Sequence, residues 1–216
     1  MAALQSIASK GYRLEFIRGG RGETELLRFR HQVFREELGW LPESGDGLDR
    51  DEYDAFSDNY AVLAQNKVLG SVRLTQGHHP FMLEREFLSL LSADTRLYKD
   101  ACCAEITRMA VSADCRGRRP EAVARLLYFI LYQWARARRI RVMYFVVEPK
   151  FLSHLRQLGF PVFALADARV LSGDVLSQAG YLNWDLASPA FIHWLRSVLA
   201  VHAAAPAQSR GCDCWR

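Results

Sequence analysis

A run of almost unbroken apolar sequence constrains the fold most. Between residues 120 and 138, Val123, Leu126, Leu127, Phe129, Ile130, Leu131 and Trp134 leave no wide polar face. A helix that is apolar on most sides has to be covered on most sides. Pro120 suits its first turn, where a backbone N–H has no partner to lose. The arginines near residue 138 suit its negative end. Residues 141–147 then form a continuous apolar strand closed by Glu148 and Pro149. A buried helix followed by a buried strand implies a sheet with helices packed on it.

The rest of the chain supplies that sheet. Residues 12–17 alternate apolar and polar, as a strand covered on one side does. Residues 60–64 and 68–74, joined by Gln65-Asn66-Lys67, read as a hairpin. Residues 104–111 alternate again. Simple alternation puts Ile106, Arg108 and Ala110 on one face and Glu105, Thr107, Met109 and Val111 on the other. Weaker strand signals fall at 162–165, 168–171 and 181–185. Helical spacing runs from Glu23 through Leu26, Leu27, Phe29, Val33, Phe34 and Leu38 to a stop at Gly39. Further helices are expected at 151–158, ending at Gly159, and at 191–202, with a partly helical segment at 81–91. With 216 residues, half of them hydrophobic, the chain can bury one large core. No repeat or linker interrupts it, so a single domain is expected over residues 1–202, followed by a loose tail at 203–216. The order of elements resembles the GNAT-like acyltransferases. It predicts an α/β fold: a three-layer sandwich with a mostly antiparallel central sheet and flanking helices. A fold of that kind does not fix a function.

Several function classes drop out. Lys and Arg number 28 against 24 Asp and Glu, a net charge of +4, too slight for a nucleic-acid-binding surface. No apolar run approaches the roughly 20 residues of a membrane span, and residues 1–10 do not read as a signal peptide. A cytoplasmic protein is expected. The five cysteines are odd in number and fit no zinc spacing. His78-His79 has no acidic or cysteine partner at ligand spacing. Neither a metal nor a cofactor is expected.

Chemistry concentrates between Arg28 and Asp54. A helix ends in Leu38-Gly39-Trp40, a Gly/Pro/Asp loop follows, and Asp51-Glu52-Tyr53-Asp54 clusters acids around a tyrosine. Many of these residue types avoid full burial, yet large aromatics sit among them. The mixture suits a pocket that holds a cation away from water. Arg73 ends the hairpin, and Glu105 and Arg108 lie three apart in Glu-Ile-Thr-Arg.

The series Arg30, Phe34, Trp40, Asp51, Asp54, Arg73, Glu105 and Arg108, at these spacings, closely resembles the acyl-homoserine-lactone synthases, the LuxI-type autoinducer synthases. Leu38-Gly39-Trp40, Gly70-Ser-Val-Arg-Leu74 and Pro80-Phe-Met-Leu83 fit the same family. The likeness covers about residues 12–185. It implies an acyltransferase that moves an acyl group from a thioester carrier onto the amine of S-adenosylmethionine. The product then closes to a lactone and methylthioadenosine leaves. An ammonium must shed a proton before it can attack, and Glu105 is the carboxylate best placed to take it. Arg73 and Arg108 join Glu105 as catalytic candidates. Arg30, Phe34, Trp40, Asp51 and Asp54 are the substrate-binding candidates: rings and carboxylates for a sulfonium, a guanidinium fork for a carboxylate. Some arginines must instead pair with the acids. S-adenosylmethionine enters as substrate, not cofactor.

For the acyl donor, residues 116–122 offer one glycine and a proline, a poor cradle for a pyrophosphate. This favours acyl carrier protein over acyl-coenzyme A without excluding the latter. Arg118, Arg119, Arg138, Arg139 and Lys150, with Arg141, could form a basic landing patch for an acidic carrier. Met82, Met109, Met143, Phe145 and Val147 are expected to line the acyl pocket, with Leu83, Phe87 and Leu155 near them. The alternative reading is a GNAT-type N-acyltransferase using acyl-coenzyme A on another amine.

Overall fold

A computed structural model describes residues 6–9, 11–92, 95–116, 120–171 and 174–200. Arg118, Arg119 and the 203–216 segment therefore lie outside the described residues. In chain order the elements are β1 (Ser6–Ser9), β2 (Tyr12–Ile17), α1 (Gly20–His31), β3 (Asp58–Ala64), β4 (Lys67–Gln76), β5 (Cys103–Val111), α2 (Ala113–Arg116), α3 (Pro120–Arg138), β6 (Val142–Val147), α4 (Pro149–Gln157), β7 (Val162–Ala164), β8 (Arg169–Leu171), β9 (Val175–Asn183) and α5 (Pro189–Ala200). Strands lie side by side in the order β1-β2-β3-β4-β5-β6-β9-β7, and β8 pairs with the start of β9. Every described pairing is antiparallel except β5 with β6.

Alternation along the strands sorts side chains to two faces. On one, Val72, Leu74, Ala104, Ile106, Met143 and Phe145 pack with Leu126, Leu127, Ile130 and Trp134 of α3, Leu152 of α4 and Leu195 of α5. The apolar-all-round helix is thus the centre of the main core. On the other face, Leu26 and Phe29 of α1 and Val33 just beyond it cover Ala61, Leu63 and Val68. Further along that face, Phe81, Leu83, Leu90 and Leu91 from the segment after β4 cover Cys103, Tyr144 and Ala179. Helices, sheet, then helix and strap make the three layers. No helix among the described residues is long and apolar enough to cross a membrane.

Two irregularities shape the site. First, β5 and β6 pair only from Cys103–Val142 to Glu105–Tyr144. Beyond that β5 continues against β4 and β6 against β9, so a notch opens in the sheet just past Glu105. Second, β5 carries a bulge. Arg73 pairs with Thr107 and Ser71 with Ala110, so two residues oppose Val72. Arg108 takes up the extra length in the left-handed region at φ 51°, a conformation a large side chain rarely adopts. Ser71 Oγ donates to its carbonyl at 2.8 Å. The bulge overturns simple alternation: Thr107 and Arg108 both face α1, Ala110 packs on that side, and Met109 and Val111 turn to the α3 core.

Other expectations shift modestly. α1 begins at Gly20 rather than Glu23. It passes at Gln32 into a π-helical turn, Gln32–Glu37, before Gly39 at φ 62°. β9 begins six residues earlier than its apolar signal, because Ser177, Gln178 and Gly180 mask it. Gly180 is required there: a Cβ would lie 2.8 Å from both the Phe145 ring and the Phe163 carbonyl.

The strap over the second face is set by a close approach at Gly77. Its N–H donates to Cys103 O at 2.8 Å, and a Cβ would lie 2.1 Å from the Asp100 carbonyl. Gly77→Ala should therefore lower stability in urea unfolding by about 1–3 kcal/mol, the usual cost of overpacking. Gly45→Ala, in open space, should stay within about 0.5 kcal/mol of the parent. Equal behaviour of the two would contradict the packing argument.

Candidate active site

The 41–57 loop has little apolar periodicity, yet buried charge fixes it. Asp51 caps the short 3₁₀ turn Glu52–Ala55 by accepting the Tyr53 N–H at 3.0 Å, and Asp54 Oδ2 accepts the Asp51 N–H at 3.1 Å. This capping box explains the Asp-x-x-Asp spacing and turns both carboxylates towards the sheet. There they meet arginines from three elements. Arg30, fully buried at the end of α1, donates to Asp54 Oδ1 at 2.7 Å and to Asp49 Oδ2 at 3.0 Å. Arg73 of β4, also fully buried, donates to Thr107 at 2.9 Å, to Asp54 at 3.2 Å and to Asp51. Arg108 donates to Asp49 at 2.7 Å and Asp51 at 2.9 Å, and Arg35 to Asp49 at 2.7 Å.

Burial alone would push the Asp49 and Asp54 carboxyls up. The guanidiniums of Arg108 and Arg30 overcome this at Asp49, and those of Arg30 and Arg73 do so at Asp54. Both are held below the ordinary aspartate value. The cluster contains four guanidiniums (Arg30, Arg35, Arg73, Arg108) and three carboxylates (Asp49, Asp51, Asp54). The three aspartates leave one guanidinium charge over, and Glu105, which Arg73 also favours in its ionised form, balances it when deprotonated.

The structure brings Arg30, Asp51, Asp54, Arg73 and Arg108 into one lattice, but with a correction. Asp51 and Asp54 do not stand free to face a sulfonium, because each is engaged by two arginines. The ring of Phe34 is likewise taken: Arg108 lies over it at 5.6 Å. Trp40 is the half-exposed aromatic of the group, tilted against Phe34 at 6.0 Å after the π turn. Sequence reasoning missed Asp49, which holds three arginines and is fully buried, and Tyr53, whose ring underlies Arg73 at 5.4 Å. Nothing in the sequence distinguishes Asp49 from the solvated acids beside it. Tyr53 at least stood inside the Asp51–Asp54 motif.

Glu105 is 1% exposed. Its two oxygens accept the N–H groups of Met82 and Leu83, each at 2.8 Å. Burial pushes its carboxyl up to about 7, although the two amides and Arg73 pull the other way.

Two groups of expected residues are not brought together. Met109, Met143, Phe145, Val147 and Leu155 belong to the α3 core, whereas Leu83 and Phe87 pack on the opposite face, where Met82 meets Arg73. They do not form one wall, because the strap carrying Met82 crosses the other side of the sheet. The basic patch is also divided. Arg138 is paired with Asp58 at 2.6 Å and lies over Trp134, and Arg141 pairs with Asp185. Exposed Arg139 precedes β6 and exposed Lys150 follows it. A six-residue strand separates them by roughly 20 Å. Cavities of about 380 Å³ lie beside Pro189 and Ile192 on α5 and beside Leu165 and Gln178, away from this cluster.

The raised Glu105 carboxyl has a sign. Its folded value near 7 lies above the unfolded 4.5, so its contribution is fully present below about 4.5 and is lost as pH rises through 7. Compared with Glu105→Gln, the parent should lose on the order of 3 kcal/mol of relative stability between pH 4.5 and 8. Urea unfolding of both at several pH values tests this; a constant difference would rule out the shift.

A profile of the autoinducer synthase family matches residues 19–188, a span that includes every residue of the cluster. The acyl-homoserine-lactone synthase of Aeromonas salmonicida is 32% identical over 144 residues, 65% of this chain and 69% of that protein. Among solved structures, the AHL synthase LasI superposes with a TM-score of 0.75 at 18% identity, over 87% of this chain and 96% of that one. BjaI, a CoA-dependent acyl-homoserine lactone synthase solved with SAM and isopentyl-CoA, gives 0.71 at 22% identity, over 82% and 81%. At such identities the structural likeness speaks for the fold alone.

Proposed function

The chain belongs to the autoinducer synthase family, and from that premise we propose that it is an acyl-homoserine-lactone synthase. It transfers an acyl group from a thioester carrier to the amine of S-adenosylmethionine. The observation that carries this reading is the meeting, on one face of β5, of a positively charged Arg–Asp lattice with a buried carboxylate near neutrality, beside the notch where β5 and β6 part.

A carboxylate with an apparent value near 7 suits a general base at neutral pH. With both oxygens already accepting an N–H, Glu105 takes the ammonium proton through a bridging water. The free amine attacks the thioester carbonyl, and the tetrahedral adduct collapses to an amide as the nitrogen gives its second proton to the departing carrier thiolate. A carboxylate oxygen of the new N-acyl amino acid next attacks its own γ-carbon. The carbon–sulfur bond breaks, its electron pair neutralises the sulfonium, and methylthioadenosine leaves. Trp40, half-exposed beside the cluster, offers a ring face to the sulfonium end of the substrate.

The acyl donor is carrier-bound. The single glycine and Pro120 in residues 116–122 give few N–H groups for a pyrophosphate, which favours acyl carrier protein. The BjaI complex with isopentyl-CoA is the observation that favours acyl-coenzyme A.

Purified protein with S-adenosylmethionine should yield methylthioadenosine and an acyl-homoserine lactone, by mass spectrometry, from hexanoyl-acyl carrier protein or hexanoyl-coenzyme A. Glu105→Gln should reduce turnover by about 100-fold or more while remaining folded. Acylation of another amine without S-adenosylmethionine would replace this reading with the general N-acyltransferase one.

A further inference from the structure

The Met82 sulfur is a poor acceptor for the place it occupies. Arg73 Nη2 donates to it at 3.0 Å and Arg108 Nη1 approaches it to 3.7 Å. Two guanidiniums from neighbouring strands thus converge on a neutral thioether, a weak acceptor. The other bonds of both arginines end on oxygen: Arg73 on Thr107, Asp51 and Asp54, Arg108 on Asp49 and Asp51. Arg30, by contrast, is bound to Asp49 and Asp54. Burial, and after it the charge of Arg73, lowers the Arg108 pKa. Two guanidiniums whose N–H donors converge on one point fit a planar carboxylate far better than a sulfur.

We propose that Met82 holds the place of the substrate's carboxylate: the amino-acid carboxylate of S-adenosylmethionine displaces the thioether from Arg73 and Arg108, and Met82 acts as the gate to that site. The inference rests on reading the chain as a synthase that uses S-adenosylmethionine. The gate can move without its backbone. The Met82 N–H is fixed on Glu105 at 2.8 Å, while an unbranched side chain with three rotatable bonds readily re-packs. The geometry also orders the substrate. Its amine sits on the carbon that bears the carboxylate, so a carboxylate at the sulfur position brings the amine within a side chain's length of Glu105.

Calorimetry with three ligands tests this. S-adenosylmethionine carries the carboxylate, decarboxylated S-adenosylmethionine lacks it but keeps the sulfonium and amine, and methylthioadenosine lacks the whole amino-acid arm. The parent should bind S-adenosylmethionine about 10-fold or more tightly than the decarboxylated compound. Met82→Glu, which installs a permanent carboxylate, should lose that preference while binding methylthioadenosine normally. Met82→Leu, which removes only the sulfur, should keep it. If Met82→Glu no longer binds methylthioadenosine, Met82→Gln carries the test, with the preference reduced severalfold by its neutral oxygen. No preference in the parent, or an undiminished one in Met82→Glu or in Met82→Gln, would overturn the proposal. Lactone formation without any preference for the carboxylate defeats the gate alone. Failure to bind S-adenosylmethionine or to form lactone defeats the parent reading and this inference with it.

Discussion

Guanidiniums taken out of water are the constraint on which the rest depends. Arg30 and Arg73 are fully buried, and a buried charge without a partner is strongly destabilising. The chain can fold around them only if a loop with little apolar pattern delivers carboxylates to the same spot. Asp49 answers Arg30, Arg35 and Arg108, and the Asp51–Asp54 capping box answers Arg73 and shares Arg30 and Arg108. A segment with little apolar pattern is thereby tied to α1, β4 and β5. Because the Asp49 and Asp54 carboxyls sit below their ordinary values, the stability they lend is present above about pH 4 and is lost as pH falls through their depressed range.

The second requirement is that one strand present Glu105, Thr107 and Arg108 to the same side. A regular strand cannot do so, since neighbours alternate. The bulge at Arg108 solves this at a conformational penalty of about 1–3 kcal/mol. That penalty is offset by bonds from Arg108 to Asp49 and Asp51 and by the Ser71 contact to its carbonyl. Strain and salt bridges therefore sit on the same residue, and each explains the other.

Much of this was legible from side-chain periodicity alone. The β3–β4 hairpin, β5 and the enveloping helix α3 follow from apolar spacing, because burial on one face or all round leaves a direct mark on sequence. The convergence of Arg30, Asp51, Asp54, Arg73 and Arg108 was legible only through family resemblance, since no local rule links residues so far apart. The parity of β5 beyond Thr107 was not legible, because a bulge changes backbone count without changing residue type. Nor was Asp49 separable from the acids around it, nor the roughly 20 Å between Arg139 and Lys150, which depends on β6 running straight between them.

The lattice also bears on why an amine would react here. In the proposed complex the substrate carboxylate takes up the extra positive charge of the lattice, and its ammonium is held beside Glu105 in a region of low water content. That desolvation disfavours the protonated amine. Glu105, raised to about 7 by its own burial, is a correspondingly better acceptor for that proton. The lattice that anchors the carboxylate thus holds the neighbouring nitrogen where burial biases it towards its nucleophilic form. On this view the arginines need no direct part in bond making. They orient one end of the substrate and so place the atom beside it where burial shifts its acid–base balance.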